Sequence, residues 1–74
     1  MKDEAVEMEK RHLRRLGFFA DGEVLRHPEW GGWVHWDALR RQWVAQTRNG
    51  VGRTSANVVD VLRRSGFRPV GVPS

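Results

Sequence analysis

Apolar residues recur along the chain in two rhythms, one helical and one alternating, and the expected elements follow from where each starts and stops. Over about 3–16, Val6, Leu13 and Leu16 form a narrow stripe at helical spacing, with Met8 off to one side. The acids Asp3, Glu4, Glu7 and Glu9 precede the bases Lys10, Arg11, Arg14 and Arg15, the order that a helix dipole favours. Glu7 and Arg11 are spaced for an i,i+4 pair. A first helix, weakly anchored at its start, is predicted there. Over residues 54–65, Val58, Val59, Val61 and Leu62 crowd one side, while Asn57, Asp60, Arg63 and Arg64 fall on the other. Thr54 or Ser55 can cap the first amides of this helix, and Gly66 can end it in the left-handed conformation.

Between these two segments the rhythm changes. Ala20-Asp21-Gly22 reads as a turn, and Val24–Arg26 as a short strand or a helical turn. Pro28 and Gly31-Gly32 break any helix. Trp33–Trp36 reads as a strand with Val34 and Trp36 on one face and Trp33 and His35 on the other. Asp37 then caps a predicted second helix, Ala38–Gln46, which buries Leu39 and Trp43 with Trp36 just ahead of them. Thr47–Arg53 is a polar turn with two glycines. The tail from Phe67 to Ser74 allows only a short edge strand, because Pro69 has no N–H to donate.

One short motif occurs twice. Leu13-Arg14-Arg15-Leu16-Gly17-Phe18 matches Leu62-Arg63-Arg64-Ser65-Gly66-Phe67 everywhere except at Leu16 and Ser65. With each glycine just past its helix, the leucine and the phenylalanine occupy the two positions that touch in a Schellman cap. The segments between show no further similarity, so this is one stop signal used twice rather than a repeated domain.

Composition narrows the class. The 74 residues make one domain, 1–74, near the lower size limit for a single core. There is no cysteine for a disulfide or a thiolate zinc site, no apolar run near the ~20 residues of a membrane span, and no signal-peptide core after Met1, so a cytoplasmic protein without a membrane segment is expected. The net charge of +4 is unevenly distributed. Residues 37–74 hold seven basic side chains, all arginine, against the two acids Asp37 and Asp60. Arginine forks onto phosphate and guanine better than lysine does, and its concentration here points to nucleic acid.

The order helix, short strand, helix, turn, helix, strand is that of a winged-helix domain. The expected fold class is therefore mainly α with a small β component, a three-helix, winged-helix-like (helix-turn-helix) domain. The segment Trp36–Val70 resembles the C-terminal winged helix of phage and plasmid primase–helicases. The likeness rests on Leu39-Arg40-Arg41-Gln42-Trp43 and on the run Val58–Phe67 with its Leu-Arg-x-x-Gly-Phe ending, and it covers about half the chain. It implies a third helix in the major groove of DNA, braced by the second. The sequence departs from that pattern after Phe67, where too little chain remains for a two-stranded wing. A second, thinner likeness joins Leu25-Arg26-His27-Pro28-Glu29 and Gly32-Trp33-Val34 to the N-terminal winged helix of RNA 2′-phosphotransferases, although the gap between the two motifs is much shorter here.

On this reading the nucleic-acid contacts are Arg40, Arg41, Arg48, Arg53, Thr54, Ser55, Asn57, Arg63, Arg64 and Arg68. Asp60 is an awkward centre for such a face unless it pairs with Arg63 or Arg64. Trp36 and Trp43 are expected in the core, whereas Trp30 and Trp33, beside Gly31-Gly32, are candidates to stack on unpaired bases or to meet a partner protein. The three histidines, fifteen and eight positions apart, match no zinc pattern, and no nucleophile–base–acid set or glycine-rich phosphate loop is present. No enzymatic activity, metal or cofactor is expected. The expected function is binding of nucleic acid, double-stranded DNA ahead of RNA, by a phage- or plasmid-type regulator or replication protein, with a homodimer as one form that could read two half-sites. The alternative is a protein–protein module, a phage-type inhibitor or accessory subunit, acting through Trp30–Trp36.

Overall fold

The computed structural model of the chain describes residues 4–67. Asp3, Arg68 and the tail expected as an edge strand lie outside that range. The elements are α1 (Glu4–Arg15), β1 (Phe19–Asp21), β2 (Val24–His27), β3 (Trp30–Asp37), β4 (Gln42–Gln46), β5 (Gly52–Ser55) and α2 (Val58–Arg64). The strands form one antiparallel sheet in sequence order, a five-stranded meander. Leu25, Val34, Trp43 and Ala45 alternate onto one face, where they join Val6 and Leu13 of α1 and Val58, Val61 and Leu62 of α2 in a single apolar core. Both helices thus bury their apolar sides against the same face of the sheet.

This architecture overturns the expected fold class. The chain is a five-stranded antiparallel sheet with two short helices, not a mainly α, three-helix winged-helix-like domain. The predicted second helix, Ala38–Gln46, is instead a turn followed by β4. Leu39, expected in the core, is 97% exposed. The helix reading rested on Leu39 and Trp43 four apart, but Trp43 and Ala45 are buried between half-buried Gln42, Val44 and Gln46, a strand period. Trp43 pairs across the sheet with Trp36, ring centroids 5.5 Å apart and edge to face. Ala38–Arg41 favour a helix locally, but four residues do not offset the cost of nucleating one. Asp37 keeps its capping role in the new setting. Its Oδ1 accepts from the N–H of Leu39 at 3.2 Å and of Arg40 at 3.3 Å, which orders the turn, and Arg41 closes it at φ 53.

The two stop signals behave alike. In α1 the N–H of Phe18 donates to Leu13 O at 3.0 Å and that of Gly17 to Arg14 O at 3.1 Å. In α2 the N–H of Phe67 donates to Leu62 O at 3.0 Å and that of Gly66 to Arg63 O at 3.2 Å. These are two Schellman caps, with Gly17 at φ 105 and Gly66 at φ 79. Their phenylalanines meet: the Phe18 and Phe67 rings lie 5.0 Å apart, and His27 and Trp30 pack against both. At the other end, Glu9 Oε2 accepts from the N–H of Val58, a residue 49 positions away, at 3.0 Å. Phe18 and Phe67 stand at that same offset, so the helices lie side by side, run in the same direction, and end at the same level.

His27 ties the first cap to the sheet. Its Nε2 is 2.8 Å from Leu16 O, and its Nδ1 accepts from the N–H of Glu29 at 3.1 Å. A carbonyl only accepts, so Nε2 carries the proton and the ring is the neutral Nε2–H tautomer. The glycine pair read as a helix breaker lies within β3, where the pairing with β2 shifts register between Arg26 and His27. Gly32 lets Trp30 lie over the backbone on the core face, since a Cβ there would meet Trp30 Cζ2 at 2.8 Å and Gln46 O at 2.3 Å. The two caps make distinguishable predictions. Gly66→Ala meets open space and should lose only about 1 kcal/mol for its left-handed backbone. Gly17→Ala also places its Cβ 2.9 Å from His27 Nε2 and should lose at least about 2 kcal/mol. Urea unfolding of the two variants measures both, and equal losses would show that the His27 contact adds nothing.

Candidate nucleic-acid interface

The face of the sheet turned away from the helices is set by register. Phe19, Arg26, Trp33, Gln46 and Gly52 form one row across the five strands, and Asp21, Val24, His35, Val44 and Thr54 form the next. All are half-buried or exposed, and both helices place their buried side chains on the opposite face. Trp33 and His35 are neighbours there, with ring centroids 5.6 Å apart. Phe19 is 47% exposed at the β1 edge. Arg26 stands between Phe19 and Trp33, with its Nε 2.8 Å from Asp21 Oδ2 at an angle outside hydrogen-bond geometry. Gly31 belongs to the same face, and the aliphatic stem of Arg48 crosses it: a Cβ on Gly31 would meet Arg48 Cδ at 2.8 Å. The guanidinium of Arg48 is exposed, with no acidic partner among the described residues. This face therefore offers aromatic rings, amide and hydroxyl groups from Gln46 and Thr54, and an unpaired arginine.

The structure disperses the other residues proposed as nucleic-acid contacts. Arg40 and Arg41 sit in the β3–β4 turn beside the exposed Leu39. Arg53 and Thr54 lie on the edge strand β5, with Arg53 Nη1 donating to Gly52 O at 3.2 Å. Ser55 ends β5, and its Oγ accepts from the N–H of Asn57 at 3.2 Å. Neither Thr54 nor Ser55 caps α2. Asn57 does so, its Oδ1 accepting from the N–H of Val59 at 2.8 Å and of Asp60 at 3.2 Å. Arg63 and Arg64 are exposed in the last turn of α2, and Arg64 Nε lies 3.8 Å from Asp60 Oδ2, one of the two pairings open to that acid. Arg68 lies outside the described residues. Of the two tryptophans left open, Trp30 packs against Phe18 and Phe67, and Trp33 lies on the open face.

No protein-family model matches the chain, and comparison with curated proteins and with solved structures gave no match. The resemblance to primase–helicase winged helices is thereby withdrawn. The segment that carried its first half is a turn and a strand, and the Leu-Arg-x-x-Gly-Phe ending is a helix cap that an unrelated fold uses twice. Among the described residues, no helix is long and apolar enough to cross a membrane.

Sequence reading placed Trp33 and His35 on one face but missed Phe19, Arg26 and Gln46 beside them. Those neighbours come from cross-strand register, which alternation within one strand does not reveal. The capping role of Asn57 has its own test. Asn57→Ala should lower stability by about 1 kcal/mol, whereas Asn57→Asp, which still accepts from the same amides, should lose little. Chemical denaturation of both variants checks this, and equal losses would remove the cap.

Proposed function

We propose that the chain binds single-stranded nucleic acid on the open face of its sheet. The observation that carries this reading is the aromatic pair Trp33–His35, solvent-accessible on a face that neither helix covers, with the stem of Arg48 laid across Gly31 beside it. A pleated surface with exposed rings suits bases that are free to unstack, because each base has a π-face to offer; such stacking contributes ~1–3 kcal/mol per base. Arg48, whose stem crosses Gly31 on that face, would hold the backbone, as phosphate contacts do in setting register. The charge of +4 supplies a long-range attraction that salt screens.

Single strands are favoured over the duplex reading because the helix expected to enter a groove is short, and several of its proposed contact residues are engaged elsewhere. Thr54 and Ser55 belong to β5, and Asn57 caps the helix. A protein partner remains the second reading. The 97% exposed Leu39, between Asp37 and the two arginines of an ordered turn, favours it, since a large apolar group held out in solvent is a common feature of contact surfaces.

Fluorescence anisotropy with labelled single-stranded RNA, single-stranded DNA and a duplex of equal length, at low and physiological salt, tests both. The single strands should bind more tightly than the duplex, with affinity falling as salt rises. Trp33→Ala should weaken binding by about tenfold or more, and Arg48→Ala should reduce the salt slope by about one. A duplex preference, or a Trp33→Ala variant that binds like the parent, would sink the proposal. Loss of a protein complex through Leu39→Ser, with no oligonucleotide binding, would establish the second reading.

A further inference from the structure

We infer that the open face selects a guanine within the strand it binds, a specificity that rests on the single-strand reading above. Arg26 takes the O6 and N7 atoms of the base, Gln46 takes its 2-amino group, and Asp21 positions Arg26.

Register places the contacts in line. Arg26 of β2 is the cross-strand partner of Trp33 of β3, and Trp33 is in turn the partner of Gln46 of β4. Neighbouring strands lie roughly 4.7–4.9 Å apart, so Arg26 and Gln46 flank Trp33 with their backbones about 10 Å from each other. A purine stacked on Trp33 would have one polar edge towards each of them. Arg26 differs from Arg48 in having an acid beside it. Its Nε lies 2.8 Å from Asp21 Oδ2, and the two side chains stay 42% and 56% exposed. A carboxylate is out of place on a face that meets only phosphates, because it repels them and offsets the charge that attracts them. Beside Arg26 it suits contact with a neutral base edge: it steadies the guanidinium from the Nε side, and the fork of the two Nη groups is the edge offered to a ligand. Guanine presents two adjacent acceptors, O6 and N7, to such a fork. Adenine sets an amino donor against it where guanine has O6, and the pyrimidines have no N7. Gln46 supplies the complementary group. Its Nε2 is turned to Gly50 O, 3.5 Å away, which leaves Oε1 as the acceptor for the amino group that guanine has and adenine lacks.

The test is fluorescence anisotropy of the full chain with labelled oligouridylates that differ only at one central base. Guanine there should bind about tenfold more tightly than adenine, cytosine or uracil. Replacing it by 7-deazaguanine, which lacks N7, or by hypoxanthine, which lacks the 2-amino group, should each give up about threefold or more. These analogues leave the protein untouched, so their effects owe nothing to its stability. Arg26→Lys keeps the charge but not the fork; it should bring guanine level with the other bases while binding to plain oligouridylate stays within about twofold. Asp21→Asn releases Arg26 and should lower the guanine preference even as the added positive charge raises affinity for every strand. Equal binding of the four bases, full binding by either analogue, or an Arg26→Lys variant that still prefers guanine would each overturn the inference. Strands that bind without preference leave the open-face reading standing, whereas a chain that binds no strand even at low salt takes both down.

Discussion

The contact between Phe18 and Phe67 is the constraint on which the rest of the structure depends. Each phenylalanine is delivered by a Schellman cap, a local device that works on any helix. Their meeting is not local, because the whole sheet lies between them in sequence. For the second stop to land beside the first, the intervening chain must bring α2 back alongside α1 in the same direction. An odd number of antiparallel strands does this. With five strands, β1 and β5 run the same way, so two helices that each fold back onto the sheet run the same way too. Glu9 on the first amide of α2 and Phe18 on Phe67 then fix the pair at both ends. Parallel neighbours place like dipole ends together, and a carboxylate from α1 at the N-terminus of α2 offsets part of that cost.

How much of this the chain discloses by itself depends on whether the deciding contact is local. The helix ends were legible because Gly17 and Gly66 act through the four residues before them. The facing of Trp33 and His35 was legible because alternation holds within a single strand. The turn role of Asp37 was legible as a cap, though not which element the cap would open. Residues 38–46 were misread because Trp43 fits both an i,i+4 pair with Leu39 and an i,i+2 pair with Ala45, and Ala45 is too small to announce the strand. Only the cross-strand contact with Trp36 decides between them, and that is a tertiary fact. The start of α2 failed for a similar reason. Thr54, Ser55 and Asn57 are all good caps, and the choice among them is made by the pairing of Val44 with Thr54 and Trp43 with Ser55, which draws the first two into β5.

The sheet divides the labour between its faces. The core face holds every buried apolar residue of the strands, and a change there is felt in a domain this small. The open face holds rings that are only partly shielded, an arrangement that adds little to stability and some risk of association. On the proposed reading, Trp33 is a position where binding and stability can be separated by mutation, whereas Trp43 belongs to the core.

The edges of the sheet bear on the proposal that a partner binds the open face. An exposed strand edge is a ready template for another strand, and a partner that added itself there would use backbone groups and need no aromatic platform. Here both edges are short. β1 has three residues and ends in Asp21, and β5 has four, with Gly52 and the arginine of Arg53 among them. Short, charged edges discourage pairing with a further strand. With strand addition disfavoured at both sides and the core face covered by α1 and α2, the face that carries exposed Phe19 and half-buried Trp33 and His35 is the side of the sheet left uncovered.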